Sequence, residues 1–356
     1  MLPDINFWKD KKVFLTGHTG FKGSWLTIWL KEMGAEVAGF SLEPTLSPNL
    51  FQELEIGDEI HHIIGDVQDL SLLSKKINHF KPEVIFHMAA QPLVRYSYKH
   101  PIETFRTNIL GTVNLFESAK ICSSVKCIIN ITTDKCYENL ELNKAFKEED
   151  PLGGHDPYSS SKACSELITS AYRSSFFLDL GLGIASARAG NVIGGGDWSE
   201  DRLIPDVVEA FKNKREVILR NPNSTRPWQH VLDPLAGYLI LAEELYKNES
   251  YSGGWNFGPN NNESKTVEWV VDRCSSVWGN KESQISIDNS EGLKEANYLR
   301  LDISKAKKIL EWEPNWNIDV SIERSINWYK AWEQRVPARS LCLEDINNFC
   351  LDYENK

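Results

Sequence analysis

One stretch limits the fold of this chain more than any other. Val13-Phe14-Leu15-Thr16 runs directly into Gly17-His18-Thr19-Gly20-Phe21-Lys22-Gly23, and an amphipathic segment follows. An apolar strand, a G-x-x-G-x-x-G turn and a helix in that order aim the free N–H groups of the helix N-terminus at an anion. The glycines let a pyrophosphate come close to the backbone. The competing reading is a glycine-rich βα turn that binds nothing. The flanking strand and helix favour the dinucleotide.

The rest of the first half agrees with such a turn. Val13–Thr16, Glu36–Leu42, Ile60–Asp66, Glu83–Met88, Lys126–Thr133 and Leu182–Ser186 are short, apolar and rich in Val, Ile and Phe, as strands buried on both faces should be. Ser24–Met33, Leu70–Phe80, Pro101–Ile121 and Tyr158–Phe177 alternate with them as amphipathic helices. This spacing predicts an α/β fold, a doubly wound parallel Rossmann sheet. Beyond Arg188 the pattern loosens into Gly194-Gly195-Gly196, Asn221-Pro222-Asn223 and Arg226-Pro227. The expected organisation is a dinucleotide-binding domain over 1–187, to which about 231–258 returns. A smaller interleaved C-terminal substrate-binding domain covers 188–230 and 259–335, and a tail covers 336–356.

With 50 acidic and 39 basic residues the net charge is -11, which makes the chain a poor binder of nucleic acid or anionic lipid. No apolar run approaches a membrane span, and residues 1–17 lack a signal-peptide pattern. The seven cysteines are odd in number and form no C-x-x-C pair, so neither a disulfide framework nor a metal site is expected. Together these features point to the cytoplasm.

Cofactor identity follows from charge. A 2′-phosphate needs a cation near the end of the second strand, yet no Lys or Arg occurs between Lys31 and Lys75. Ser41 and Glu43 stand there instead, so NAD is favoured over NADP. The expected NAD contacts are Gly17 to Gly23, Ser41, Asp66, Val67, Ala89, Ala90, Gln91, Asn108 and Thr132, with Tyr158 and Lys162 at the nicotinamide. Asp66 could equally be a plain turn residue, and Asn108 a solvated helix position.

Asp156-Pro157-Tyr158-Ser159-Ser160-Ser161-Lys162 reads as a capped helix start. It places Tyr158 and Lys162 one turn apart on one face. An ammonium beside a phenol favours the phenolate, whose usual pKa is near ~10. The fifth strand ends at Thr132-Thr133-Asp134-Lys135, where ligands bind in open α/β sheets. Asp134 beside Lys135 can act as an acid and a base on neighbouring atoms, or the two can neutralise one another. Arg95, Tyr96, Arg188, Asn191, Arg202, Leu203, Arg220, Arg226, His230 and Tyr298 complete the candidate substrate set. Several arginines in loops of an acidic chain suit a diphosphate.

Taken together, G-x-x-G-x-x-G, T-x-D, Y-x-x-x-K and the segment Arg226-Pro227-Trp228-Gln229-His230-Val231 resemble the extended short-chain dehydrogenase/reductases that act on nucleotide sugars. The resemblance runs from about Lys12 to Trp328. Thr132–Lys135 with Gly194–Trp198 is similar to the branch that dehydrates CDP-D-glucose at C4 and C6. The branch acting on dTDP-sugars carries Asp-Glu at this place.

The resemblance implies that Tyr158, with Thr133 and Lys162, takes the 4-hydroxyl proton during oxidation. Lys135 then takes the C5 proton, and Asp134 protonates the departing 6-hydroxyl. It also implies CDP-glucose as substrate, a nucleotide-sugar-binding role for the smaller lobe, a homodimer or homotetramer, and a product that feeds dideoxyhexose synthesis for O-antigen. A 4-epimerase-like oxidoreductase would share the glycines, Tyr158 and Lys162 but have no use for Asp134 with Lys135. A non-enzymatic NAD-binding regulator would usually lose the tyrosine or the lysine.

Overall fold

A computed structural model describes residues 1–141, 144–260, 263–279, 285–287 and 298–356. Of the expected lobe, residues 261–262, 280–284 and 288–297 therefore lie outside the described residues.

Seven strands form one sheet: β1 (Lys12–Thr16), β2 (Glu36–Ser41), β3 (His61–Ile64), β4 (Val84–His87), β5 (Cys127–Ile131), β6 (Gly183–Ala189) and β7 (Gly253–Phe257). Their order is β7-β6-β5-β4-β1-β2-β3, with every pairing parallel. Chain order reverses between β1 and β4. The Gly17 turn at the end of β1 and Ala89 past the end of β4 therefore flank the crevice where such sheets bind ligands.

Side chains alternate across the sheet with a period of two. Val13 and Leu15 enter a core shared with α1 (Phe21–Glu32) and α6 (Leu232–Lys247), through Trp25, Trp29, Leu235 and Leu239. Phe14 and Phe40 enter the opposite core with Leu73 and Ile77 of α2 (Leu70–Phe80) and Leu115 and Phe116 of α3 (Gly111–Lys120). Each fully buried large apolar side chain contributes roughly 1.5–3 kcal/mol. The double winding is thus visible in the packing of a single strand.

Some element boundaries differ from expectation. The helix expected over 101–121 is split: Pro101–Phe105 is α-helical, Arg106–Leu110 forms a wider π turn, and α3 follows. The helix α4 (Pro157–Tyr172) likewise ends in a π turn at Arg173–Phe177. β5 stops at Ile131 because the Thr133 side chain accepts the Lys135 N–H, turning Asp134–Cys136 into one 3-10 turn.

Outside the seven-stranded sheet, the segments expected to form the smaller lobe hold α5 (Leu203–Lys212), α7 (Val267–Trp278), α8 (Ile318–Glu333) and two-stranded pairings. Val217–Leu219 runs parallel to Ile285–Ile287, and Thr225–Arg226 runs antiparallel to Lys265–Thr266. Residues 338–354, set apart in the sequence as a tail, form helix α9 (Ala338–Glu354). Leu341, Cys342, Ile346 and Phe349 recur at helical spacing and are buried, and Phe349 meets Trp29 of α1 edge to face at 5.8 Å.

Candidate active site

The glycine turn is built for close approach. Gly17 has φ +78, and a Cβ there would stand 2.7 Å from the Ala89 nitrogen. A Cβ on Gly23 would stand 2.1 Å from the Gly17 carbonyl oxygen. Gly20 caps α1 without a side-chain hydrogen bond, leaving the first N–H groups of a 12-residue helix for an anion. This cradle fits a dinucleotide pyrophosphate. Thr19 and Ser41 share a hydroxyl hydrogen bond of 2.7 Å at the end of β2. Asp66 accepts from the Gln68 backbone N–H at 2.9 Å and so closes a turn. Val67 is buried beneath, against Gly111.

Two expected cofactor contacts have inward-facing roles. His18 packs under Gly39 with its Nε2 2.7 Å from Nδ1 of His62; burial first, then His62, holds its pKa down at about 3. Asn108 is buried rather than solvated. Its Oδ1 accepts from the Gln91 N–H at 2.8 Å, and its Nδ2 donates to the Gln91 carbonyl at 3.1 Å and to Ser161 Oγ at 2.8 Å. Asn108 thereby holds the Ala89–Gln91 loop against α4.

The expected catalytic residues converge. Asp156 caps α4 by accepting the Ser159 N–H at 2.9 Å, which sets Tyr158 and Lys162 on the face toward β5. Lys162 Nζ donates to the Ile131 carbonyl at 3.0 Å. Thr133 Oγ1 donates to Asp134 Oδ1 at 3.1 Å, and Thr133 lies near enough to Tyr158 to influence its titration. Tyr158, Lys162, Thr133 and Asp134 are all buried, whereas Lys135 is partly exposed.

Burial governs the titration of this group. It pushes Tyr158 up to about 12, opposed by the nearby Thr133 hydroxyl and the Arg202 charge. The adjacent lysine alone therefore does not make the phenol acidic. Burial lowers Lys162 to about 8, against the Glu166 carboxylate, so it stays cationic at neutral pH. Burial raises Asp134 to about 6, opposed by Lys135, Thr133, Arg226 and Lys22. Lys22, in the glycine turn, is lowered to about 7 by burial and by the Arg202 and Lys162 charges; its Nζ lies 3.5 Å from Tyr238 Oη.

Asn191, Arg202, Leu203, Arg220 and Arg226 line one cleft of about 480 Å³. Arg226 is buried there, with Nη1 donating to the Thr225 carbonyl at 3.1 Å. Arg220 and Arg95 both reach Asp201, at 2.8 and 3.3 Å, which ties the Arg95 helix to the lobe.

Four other expected substrate contacts are not brought to this cleft. Arg188 is buried in an ion pair with Glu166. His230 is fully buried between Trp25 and Trp316, its pKa held at about 3 by burial and Arg324. Tyr96 donates to Glu103 at 2.9 Å and stacks on His100. Tyr298 is 43% exposed and bridges to Thr225 through its backbone.

Gly194–Trp198 has a packing role. A Cβ on Gly195 would fall 2.0 Å from the Trp328 ring, Trp198 packs on Trp328 and Trp332, and Tyr329 Oη donates to the Asp197 carbonyl at 2.6 Å.

Sequence reasoning missed Glu166. Its signal was available: it continues the four-residue step of Tyr158 and Lys162.

The chain matches the GDP-mannose 4,6 dehydratase family over residues 14–325. It is 51% identical to a CDP-glucose 4,6-dehydratase of Salmonella typhimurium, covering 92% of this chain and 93% of that protein. It is 26% identical to a dTDP-glucose 4,6-dehydratase of Escherichia coli, covering 91% and 96%. Among solved structures, the dTDP-glucose 4,6-dehydratase of Bacillus anthracis in complex with NAD superimposes with a TM-score of 0.77 at 25% identity, covering 91% and 98%. The Thermus thermophilus UDP-glucose 4-epimerase complex with NAD shares the fold, with a TM-score of 0.76 at 22% identity over 89% and 98% of the two chains.

Proposed function

We propose that this chain, which belongs to the GDP-mannose 4,6-dehydratase family of short-chain dehydrogenase/reductase-type proteins, is an NAD-dependent dehydratase that converts CDP-D-glucose to CDP-4-dehydro-6-deoxy-D-glucose. One observation carries the reading: Thr133 donates to the Asp134 carboxyl at 3.1 Å and both lie near enough to the Tyr158 phenol to shift its titration, which puts an oxidation base and an elimination acid around one space. An epimerase needs only the first. The Salmonella typhimurium relative supports the choice of CDP.

Gly17, Gly20, Gly23 and the α1 N-terminus would hold the NAD pyrophosphate. Ser41 and Asp66 would lie on the adenosine side, with Tyr158 and Lys162 on the nicotinamide side. Bound NAD supplies the hydride acceptor for C4 and the hydride donor for C6, so it is not consumed.

Tyr158 takes the proton from the sugar 4-hydroxyl. Its phenolate needs charge beyond Thr133, Arg202 and Lys162, which the nicotinamide cation would supply beside Tyr158 when NAD is bound. The 4-ketone acidifies C5–H. Lys135 takes that proton, and the C–H electron pair forms the C5–C6 double bond. The C6–O bond breaks, and Asp134 gives the leaving hydroxyl its proton, so one water departs. Lys135 then returns its proton to C5. A carboxyl raised to about 6 suits Asp134 to donate near neutrality. Arg202, Arg220 and Arg226 would hold the diphosphate.

Ile102, Phe105 and Leu110 are exposed on one segment, and Leu167 and Phe176 on its neighbour, α4 and its π turn. These apolar residues support a homodimer through this face, alone or paired into a tetramer. No helix among the described residues is long and apolar enough to cross a membrane. Seven free cysteines support a reducing, cytoplasmic setting, with the product feeding dideoxyhexose synthesis for surface polysaccharide.

Incubation with CDP-, dTDP-, UDP- and GDP-glucose, followed by the alkali-induced absorbance of a 4-keto-6-deoxy sugar, tests the reading. Turnover of CDP-glucose in clear preference is expected. An epimerised sugar that keeps its 6-hydroxyl would overturn it.

A further inference from the structure

Tyr158, Lys162 and Glu166 form one row along α4, at successive four-residue steps. Glu166 is 3% exposed, and its carboxylate accepts four hydrogen bonds. They come from Thr132 Oγ1 at 2.5 Å, Ser186 Oγ at 2.5 Å, and Nε and Nη2 of Arg188 at 2.9 and 2.8 Å. The guanidinium thus meets the carboxylate with two parallel bonds, which fixes direction as well as distance. Arg188 is 4% exposed and spends its remaining nitrogen, Nη1, on Tyr137 Oη at 2.8 Å and the Glu148 carbonyl at 3.0 Å. Tyr137 Oη in turn donates to Asn256 Oδ1 at 2.7 Å on β7, and the Tyr137 ring stacks on Phe146.

The placement of these contacts matters more than their number. Thr132 immediately precedes Thr133-Asp134-Lys135-Cys136, and Tyr137 immediately follows it. The buried pair therefore grips the elimination turn at both ends while standing on the helix that carries the oxidation residues. A buried ion pair is seldom retained for stability alone, since an apolar packing of the same volume often serves as well. A planar, fully hydrogen-bonded pair holds its neighbours in one orientation, which loose apolar packing does not.

We propose that Glu166 and Arg188 are positioning residues that hold the Thr133–Cys136 turn in register with Tyr158 and Lys162, so that oxidation at C4 and elimination at C5 and C6 act on one bound sugar. Neither side chain is directed at the substrate. The inference rests on the dehydratase reading above and adds what sets the geometry between its two steps.

The test uses Tyr137→Phe, which removes one hydroxyl from the network and keeps the stacked ring. Glu166→Ala strands a buried guanidinium and is expected to prevent folding, so it decides nothing by itself. Glu166→Asp keeps the charge and shortens its reach, and serves as the second variant. In single turnovers with CDP-glucose in D₂O, NADH absorbance reports oxidation, while 6-deoxy product and C5 deuterium report elimination. NAD affinity by calorimetry and the thermal midpoint are measured alongside.

For Tyr137→Phe the expected result is oxidation within about twofold of wild type and elimination slowed about tenfold or more. NAD affinity should be unchanged, and Tyr137→Phe should cause no further loss of elimination when added to Asp134→Asn. Glu166→Asp should show the same split. The inference is overturned if elimination stays at the wild-type rate in both variants. It is equally overturned if oxidation, elimination and thermal midpoint fall together. Failure of the wild type to dehydrate CDP-glucose would instead strike the functional reading, so the two failures are distinguishable.

Discussion

Thr133 Oγ1 donates to Asp134 Oδ1 at 3.1 Å and stands near enough to the Tyr158 phenol to influence its titration. One side chain therefore joins the group assigned to oxidation and the group assigned to elimination, and the two steps should separate by mutation. Tyr158→Phe should abolish NADH formation on addition of CDP-glucose. Asp134→Asn should still oxidise C4, because its proton is needed only afterwards, so NADH should accumulate with little 6-deoxy product. Lys135→Met should behave similarly and also stop solvent deuterium entering C5. Full turnover and C5 exchange in Lys135→Met would assign the base elsewhere.

The raised pKa of Asp134 has a stability consequence. Burial lifts its carboxyl from about 3.8 to about 6 in the folded chain. Folding is therefore unpenalised below about pH 3, where the group is protonated whether folded or unfolded. The penalty grows as pH rises from the unfolded value of 3.8 to the folded value of about 6 and is complete above it. Asp134→Asn should gain about 1–3 kcal/mol over wild type at pH 8 and nothing at about pH 3. Denaturant melts at the two pH values measure this. An equal gain at both would assign it to packing instead.

Cofactor choice should follow the missing cation. With no Lys or Arg between Lys31 and Lys75, NAD should bind at least about tenfold more tightly than NADP. Calorimetric titration with both decides, and equal affinities would contradict the assignment of the ribose site.

Arg226 lines the cleft proposed for the diphosphate and also opposes the rise in the Asp134 pKa. Arg226→Ala should raise KM for CDP-glucose by about 10–100-fold and leave NAD affinity alone. Loss of that positive charge should also keep Asp134 protonated to higher pH. The elimination limb of the pH profile should therefore move in the alkaline direction. A parallel fall in both affinities would mark the arginine as structural.

What could be read in advance was whatever depends on local spacing. The strand before Gly17, the four-residue step from Tyr158 to Lys162 and the polar exit after Ile131 are each fixed within a few residues, and the structure brings Tyr158, Lys162, Thr133 and Asp134 together. Arg188 and His230 show the limit. Each sits in a polar-looking motif, but the direction of a strand side chain depends on what packs across from it. Arg188 meets Glu166 from a neighbouring helix, and His230 meets Trp316, far along the chain. The glycines Gly194 to Gly196 read as loop punctuation, yet Gly195 is small because Trp328 occupies the space a side chain would need.

Helix α9 lays Phe349 on Trp29, in the very helix whose first turn would hold the cofactor phosphates. On the ribosome, α1 emerges most of the chain's length before the segment that covers it. The nucleotide-binding half must wait with tryptophan surface uncovered until that helix has been made. Trimming the apparent tail would leave that surface bare for the lifetime of the protein. Its first symptoms would be aggregation during expression and weak cofactor retention, in a variant whose every catalytic residue is intact.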